Sequence, residues 1–392
     1  MRTNVRCRRV LALGGAVVLA CGLSPAAHAA AGDPAPAVAI IELDGLPGHY
    51  DSAAAAINND GVIVGRSGGH AVRWDLTGRV TDLGTLPGGR YSHAVDVNNR
   101  GTIVGQATSS DGTYHLVRWD REGRIADLGT LPGGTFFTPL AINDEDSVLG
   151  YGNAEDGREH AVRWDRDRRV ELLAATGDVA GEVVALNNRG VTLGRDPVFA
   201  WGPVLWDRDG RTTRLPLYEP FRQTEGLDLN DDGTVVGVSY LGLVKGIPLR
   251  WDHHGNLTVL QTPYEEGIAY AVNSYGTAVG AFARDFFAYD HACSWDRDGV
   301  MTSLGTAPGF LSSTAVDVSD NGTIVGLAGR QDADGAVTHA IRWDPDGELT
   351  DLGTLGGRSS FVVDVNTAGV TIGGVLTTSG ETRAVLWPAP RR

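Results

Sequence analysis

Eight of the nine tryptophans stand at Trp74, Trp119, Trp164, Trp206, Trp251, Trp295, Trp343 and Trp387, separated by 45, 45, 42, 45, 44, 48 and 44 residues. A period of that length sustained over most of a chain marks a repeat architecture, in which each copy buries its apolar faces only against its neighbours. The clearest copy runs Ala94-Val95-Asp96-Val97-Asn98, Asn99-Arg100-Gly101, Thr102-Ile103-Val104-Gly105, a polar loop, His115-Leu116-Val117-Arg118-Trp119, a second turn to Gly123, then Arg124-Ile125-Ala126-Asp127-Leu128-Gly129. Each copy therefore reads as four short strands joined by Asn/Asp/Gly turns, and none holds a helical apolar period.

The first turn recurs as Asn58-Asn59-Asp60-Gly61, Asn187-Asn188-Arg189-Gly190 and Asn230-Asp231-Asp232-Gly233, where glycine supplies the positive φ of a tight hairpin. The second follows each tryptophan, as in Asp207-Arg208-Asp209-Gly210 and Asp296-Arg297-Asp298-Gly299. These runs lack the further ligands and distal glutamate of a calcium loop and read as turns. In His115-Leu116-Val117-Arg118-Trp119 the histidine, valine and tryptophan share one face and the leucine and arginine the other, as in a sheet covered on both sides. A buried tryptophan per copy contributes roughly 2 to 3 kcal/mol.

Fourth strands begin near Ile40, Val80, Ile125, Val170, Thr212, Leu257, Val300 and Leu349, so the repeat region opens on a lone fourth strand, and its last copy stops at Trp387 without one. The expected fold is all-β: a closed β-propeller of eight four-stranded blades, the N-terminal strand completing the last blade and removing the exposed edge. An open β-solenoid of the same repeats is the alternative.

The run Asp-Leu-Gly-Thr-Leu-Pro-Gly-Gly at Asp82 to Gly89 and Asp127 to Gly134, together with Asn-Asn-x-Gly, Ile-Val-Gly and His-Ala-x-x-Trp, resembles the extracellular HAF repeat family over essentially the whole repeat region. The third residue of the family's His-Ala-Phe is Val72, Val162, Cys293 or Ile341 here. The resemblance implies an exported, propeller-like protein and carries over no catalytic residue. Ending the third strand in Trp-Asp is also similar to WD repeats, by analogy only.

Residues 1–29 carry Arg2, Arg6, Arg8 and Arg9, an apolar run from Val10 to Ala20 and small residues ending at Ala29, the three parts of a signal peptide. The organisation read from the sequence is thus signal peptide 1–29, Ala/Pro-rich leader 30–39, repeats 40–388 and tail 389–392. Val18-Leu19-Ala20-Cys21 loosely matches a lipoprotein box, with anchoring at Cys21 as the alternative, and Arg8-Arg9 a twin-arginine signal. Cleavage takes four arginines and no acid, moving the formal charge from −15 to −19, the wrong sign for nucleic acid or an anionic membrane. Cys7 and Cys21 lie in the signal peptide, so Cys293 stands alone, reads as a buried small hydrophobe, and leaves closure to packing and strand pairing.

Several repeated positions have chemistry to weigh. His70, His115, His160, His291 and His339 share one position; lying in different copies they do not converge on one ion unless they face a central channel, and they read as structural groups hydrogen-bonded to the backbone. Asp96, Asp228, Asp317 and Asp364 alternate with Ala56, Ala141, Ala185 and Ala271, a pattern of tight packing rather than catalysis. Arg73 with Asp82, Arg118 with Asp127 and Arg342 with Asp351 are candidate cross-strand ion pairs nine residues apart. No nucleophile elbow, phosphate loop, zinc signature or dinucleotide fingerprint stands in context, so neither metal nor cofactor is expected.

The remaining signal is where the repeat decays. Of the 19 phenylalanines and tyrosines, 11 lie between residues 199 and 289. Trp201, Tyr218, Phe221, Tyr240, Tyr264, Arg284, Phe286, Phe287 and Tyr289 are the candidate ligand-binding set, on loops that a meander sends to one end of the fold. The expected function is a secreted, monomeric binding module for a carbohydrate, peptide or cell-wall fragment. The competing reading is a propeller-type hydrolase or lyase using Glu219, Glu265, Glu266, Asp285 or Asp290 beside Arg284.

Overall fold

The computed structural model describes residues 38–390 apart from 50, 168, 177, 178, 181, 197–201, 220–222, 242–244, 265 and 284–289. Among the described residues every regular element is a β-strand, and no helix is long and apolar enough to cross a membrane. The fold is propeller-like. Six units are separate four-stranded antiparallel meanders. The seventh unit (Ser312–Val318, Ile324–Asp332, Gly335–Trp343, Leu349–Asp351) and the eighth (Ser359–Val365, Thr371–Leu376, Thr382–Trp387) join through one parallel bridge, Thr338 to Ser359. Ile41–Glu42 pairs antiparallel with Thr382–Trp387, Ile41 opposite Leu386, and supplies the eighth unit's fourth strand. A hairpin of Ala174–Thr176 and Val179–Ala180 intervenes between units three and four.

The first strand of each unit lies innermost: each touches the first strands of the units before and after it, and Ser52–Ile57 of unit one touches Ser359–Val365 of unit eight. Every one of these strands carries a bulge. The bulge explains the glycine of the Ile-Val-Gly run. At Gly65, Gly105, Gly150, Gly194, Gly237, Gly280, Gly326 and Gly373 a Cβ would lie 1.9 to 2.3 Å from a carbonyl oxygen of the bulged strand, a distance no side chain tolerates.

Between units the tryptophans do two things. All eight are buried, and Trp74, Trp119, Trp251, Trp295, Trp343 and Trp387 donate their indole N–H to a backbone carbonyl of the preceding unit. The acceptor for Trp74 is Asp44, just past the strand that completes unit eight.

The opposite end of the innermost strands is stitched by the first-turn asparagines. Asn58, Asn98, Asn143, Asn187, Asn230 and Asn273 each donate Nδ2–H to the backbone carbonyl of the corresponding residue one unit on, at 2.9 to 3.2 Å, and Asn366 of unit eight donates to Asn58 of unit one. The same side chain holds its own hairpin: Asn98 Oδ1 accepts from the amides of Arg100 and Thr102, while Gly101 takes φ 80°. Unit seven has Ser319 here, whose hydroxyl turns back to the Thr323 carbonyl of its own hairpin. Among the described residues this is the one seam without the rung.

The Asp/Ala position is structural, as its composition suggests, and more than packing: Asp96 Oδ2 accepts the Ile142 amide, Asp228 the Val272 amide and Asp364 the Ile57 amide, each one unit on. The Asp-x-Asp-Gly runs are turns, with Asp207 Oδ1 accepting from the amides of Asp209 and Arg211. Cys293 is fully buried, and that burial pushes its thiol far above the ordinary range, as suits an inert core residue.

Asn143→Ala removes a rung and leaves the amides of Glu145 and Ser147 without their acceptor, so it should lower stability by roughly 2 to 4 kcal/mol. Ser319→Asn should raise it by adding the missing rung. Chemical denaturation checks both; an unchanged midpoint for the first would show that the rungs do not hold the units together.

Candidate functional site

In an antiparallel meander the links between second and third strands, and those leading into the next unit, emerge at the same end. At this end a second seam device appears. Ser52, Ser92, Ser313 and Ser360, at the start of their innermost strands, accept through Oγ the amides of Ala384, Ala71, Ala292 and Ala340 of the preceding unit. Ser92 and Ser313 also donate to the carbonyls of Gly84 and Gly305. The clamped seams are consecutive, from unit six through units seven, eight and one to unit two. In the seams from unit four to five and from five to six, Pro203 and Pro248 stand where the donor amide would be, and Thr224 and Gly267 stand where the serine would be. Proline has no N–H and leaves no orphan donor, and the Thr224 hydroxyl is engaged by Ser239 and the Tyr218 amide instead.

The unclamped half carries the aromatic candidates. Trp201, Phe221, Arg284, Phe286, Phe287 and Tyr289 lie outside the described residues, as do Glu265 and Asp285. Tyr218 is half-buried and packs against the core shared by units four and five. Tyr240, also half-buried, pairs with Gln223 and Gly246 at the end of its strand. Tyr264 is different. It sits on the link from unit five to unit six, 50% exposed, and its ring stacks at 6.4 Å and 27° on Phe282, which in turn lies 5.6 Å from His291. One face of Tyr264 is thus held by a buried ring while the residue stays open to solvent.

Of the carboxylate candidates, Glu266 is buried and Glu219 exposed. Burial pushes the Asp290 carboxyl above the usual range against the pull of adjacent His291, an effect discounted by the exposed surface that Asp290 retains. The Tyr270 hydroxyl is raised too, by burial first and then by Asp290 and Tyr240. Exposed aromatics at this end also occur in the regular units, at Tyr91 (55%) and Tyr114 (40%).

Two expectations are corrected. The arginine–aspartate pairs do not form: Arg73 pairs across the ladder with Thr81, whereas Asp82 lies opposite Val72, on the face of His70. Asp82, Asp127 and Asp351 instead meet the Nδ1 of His70, His115 and His339, each at 2.9 Å, and His160 meets Asp156. These four histidines therefore make structural hydrogen bonds, to carboxylates and not to the backbone, while His291 lies against the Phe282 ring. The arginines reach the next unit: Arg73 donates to the Arg121 carbonyl, Arg163 to Gly190 and Asp207, Arg250 to Gly276, Asp296 and Arg297, and Arg342 to Pro388. No group of three or more potential metal ligands gathers among the described residues.

Neither a family model nor a curated protein matches the chain. Solved structures of similar shape include virginiamycin B lyase from Staphylococcus aureus, 11% identical over 75% of this chain and 94% of that one, with a TM-score of 0.44. The β-propeller domain of the Trilobed protease from Pyrococcus furiosus is 10% identical over 77% and 97%, with a TM-score of 0.48. TolB from Acinetobacter baumannii is 13% identical over 64% and 61%, at 0.38. No residue correspondence passes from likenesses at this level.

His115 and Asp127 are both partly exposed, so His115→Ala should cost less than about 1 kcal/mol. Ser92→Ala leaves the buried Ala71 amide unpaired and should cost roughly 1 to 3 kcal/mol. Denaturation of the two variants side by side checks this order, and the reverse order would make the histidine the stronger element.

Proposed function

We propose that the chain is a closed eight-bladed propeller exported from the cell, and that it works as a binding module whose ligand sits at the unclamped end of blades four to six. Closure is supported by the pairing of Ile41 with Leu386 and by the Asn366-to-Asn58 and Asp364-to-Ile57 bonds between the last blade and the first. Export is supported by the opening segment and by the resemblance to extracellular HAF repeats. The observation that carries the binding reading is Tyr264: an aromatic face braced from behind by Phe282 loses little conformational freedom when a sugar ring or an apolar group stacks on it.

A second reading, a propeller-type hydrolase or lyase, is favoured by one feature. Asp290 and Tyr270, two groups whose protonated forms are stabilised, act on each other at the same end and could supply a proton to a leaving group.

Deleting residues 40–43 removes the last blade's fourth strand and should lower the melting temperature sharply or cause aggregation; an unchanged melting temperature sinks the closure. For the ligand, the purified protein is passed over cell-wall polysaccharide and peptidoglycan fragments. Tyr264→Ala should abolish retention with melting intact, while Tyr91→Ala, on the same end of a regular blade, should keep it. Loss with Tyr91→Ala alone would move the site away from this sector. Turnover of the retained fragment that disappears in Asp290→Asn would decide for the enzyme.

A further inference from the structure

The repeat provides an internal comparison at two positions of the same end. In the seam between units four and five, Arg195 follows the strand glycine Gly194 and stands opposite Glu182 in its own ladder. Its guanidinium meets Glu225, on the innermost strand of the next unit, at 2.6 Å and Glu182 at 3.6 Å, and the arginine is only 9% exposed. One arginine is thus neutralised by two carboxylates.

In the seam between units one and two the arginine is kept and both carboxylates are gone. Arg66 follows Gly65 in the same way, opposite Ala53, which takes the place of Glu182. His93 takes the place of Glu225: each stands five residues before the first-turn asparagine and pairs with the residue after the glycine, Gln106 in one case and Val238 in the other. Arg66 has no ion-pair partner among the described residues and is exposed, and His93 is half-buried. The His93 imidazole is held below its ordinary range by burial first and by the neighbouring Arg66 charge second. Two basic groups side by side, in a chain with a formal charge of −15, are a local inversion of the field, and an anion between them would reverse an unfavourable contact.

We propose that Arg66 and His93 form a carboxylate-binding site at the mouth of the first and second units, in which a carboxylate of the ligand takes the place that Glu225 fills beside Arg195. Arg66 binds the carboxylate through its guanidinium fork and His93 donates a ring N–H. Ala53 leaves the space that Glu182 occupies in the other seam. The ligand class is an acid with an accessible carboxylate, such as a uronic acid residue of a polysaccharide. The site lies in the clamped half of the molecule, and it stands or falls independently of the aromatic sector.

The test is calorimetric titration of the full-length protein with D-glucuronate, with D-glucose and sulfate as comparisons. Glucuronate should bind and glucose should not. Arg66→Ala should weaken glucuronate binding by about tenfold or more. His93→Glu should do the same while keeping or raising the melting temperature, because it rebuilds inside the protein the pair seen at Arg195 and Glu225. Absence of glucuronate binding to the wild type, or binding unchanged in both variants, overturns the site. Sulfate binding as tight as glucuronate overturns the assignment to carboxylates.

Discussion

The innermost strands of units one to seven leave their second edge unpaired, that of unit eight makes a single bridge to unit seven, and the one described cysteine, Cys293, is free. In every unit but the seventh, one asparagine side chain spans the gap at the first turn. The amide of Asn98 sits between two hairpins: its oxygen accepts two backbone amides of its own turn, and its nitrogen donates to the carbonyl of Asn143 in the next. A shorter or a charged side chain cannot do both. Serine at 319 keeps its own hairpin and loses the reach, and aspartate would put a second acceptor against a carbonyl. Because the bonds cross every seam but that from unit seven to unit eight, and run from unit eight to unit one, the turn that shapes a single hairpin also sets the spacing of its neighbours.

That double role bears on how much the sequence reveals. The Asn-Asn-x-Gly turns, the tryptophan period and the lone N-terminal strand are local or periodic features, and they lead to the observed strand order directly. The partner of Asn98 is 45 residues away, and nothing near it in sequence points there; only the recurrence of asparagine where any good turn residue would serve hints at a second duty. The strand glycines are similar. They are plain in the sequence as part of Ile-Val-Gly, but their cause is a bulge in the neighbouring strand that no pattern in that strand announces. The misassigned ion pairs have a simpler origin. With Trp74 opposite Val80 the ladder sets Arg73 against Thr81, a spacing of eight, so Asp82, nine residues on, falls on the other face, opposite Val72 and beside His70.

The candidate site was legible in outline only. Aromatic enrichment between residues 199 and 289 marks the half of the molecule where the serine clamps are missing, and the two facts have one physical explanation. A clamp demands serine at one strand start and an N–H at a fixed place in the preceding unit. Once proline occupies that place, as at Pro203 and Pro248, the link between units is released from the geometry that the hydroxyl imposed. Links of other lengths and compositions can then be carried, and Leu217-Tyr218-Glu219-Pro220-Phe221-Arg222 replaces Leu-Pro-Gly-Gly. The asparagine rungs persist beneath, from Asn143 through Asn230, so the variable end rests on an unvaried base. Tyr218 shows the limit of inference from composition, since it turns inward to the core while Tyr264 keeps an open face.

Comparison among the copies of one chain also separates residues that hold the fold from residues that do not. Arginine before the tryptophan bonds to the next unit's turn wherever its bonds are described, so its N–H groups are taken up by backbone carbonyls, joined at Arg163 by Glu171 of its own unit. Arginine after the strand glycine behaves differently. At Arg195 two carboxylates surround it, and at Arg66 their places are taken by alanine and histidine. A structural requirement for arginine at that position would bring its counter-charges along in both seams, whereas the Arg66 charge here only helps to hold the neighbouring imidazole in its neutral form. Most units do without it altogether, with Gln106, Tyr151 or Val238 in its place. The arginine at 66 is therefore a departure from what the scaffold needs, and among the described residues no carboxylate takes the places that Glu182 and Glu225 hold beside Arg195.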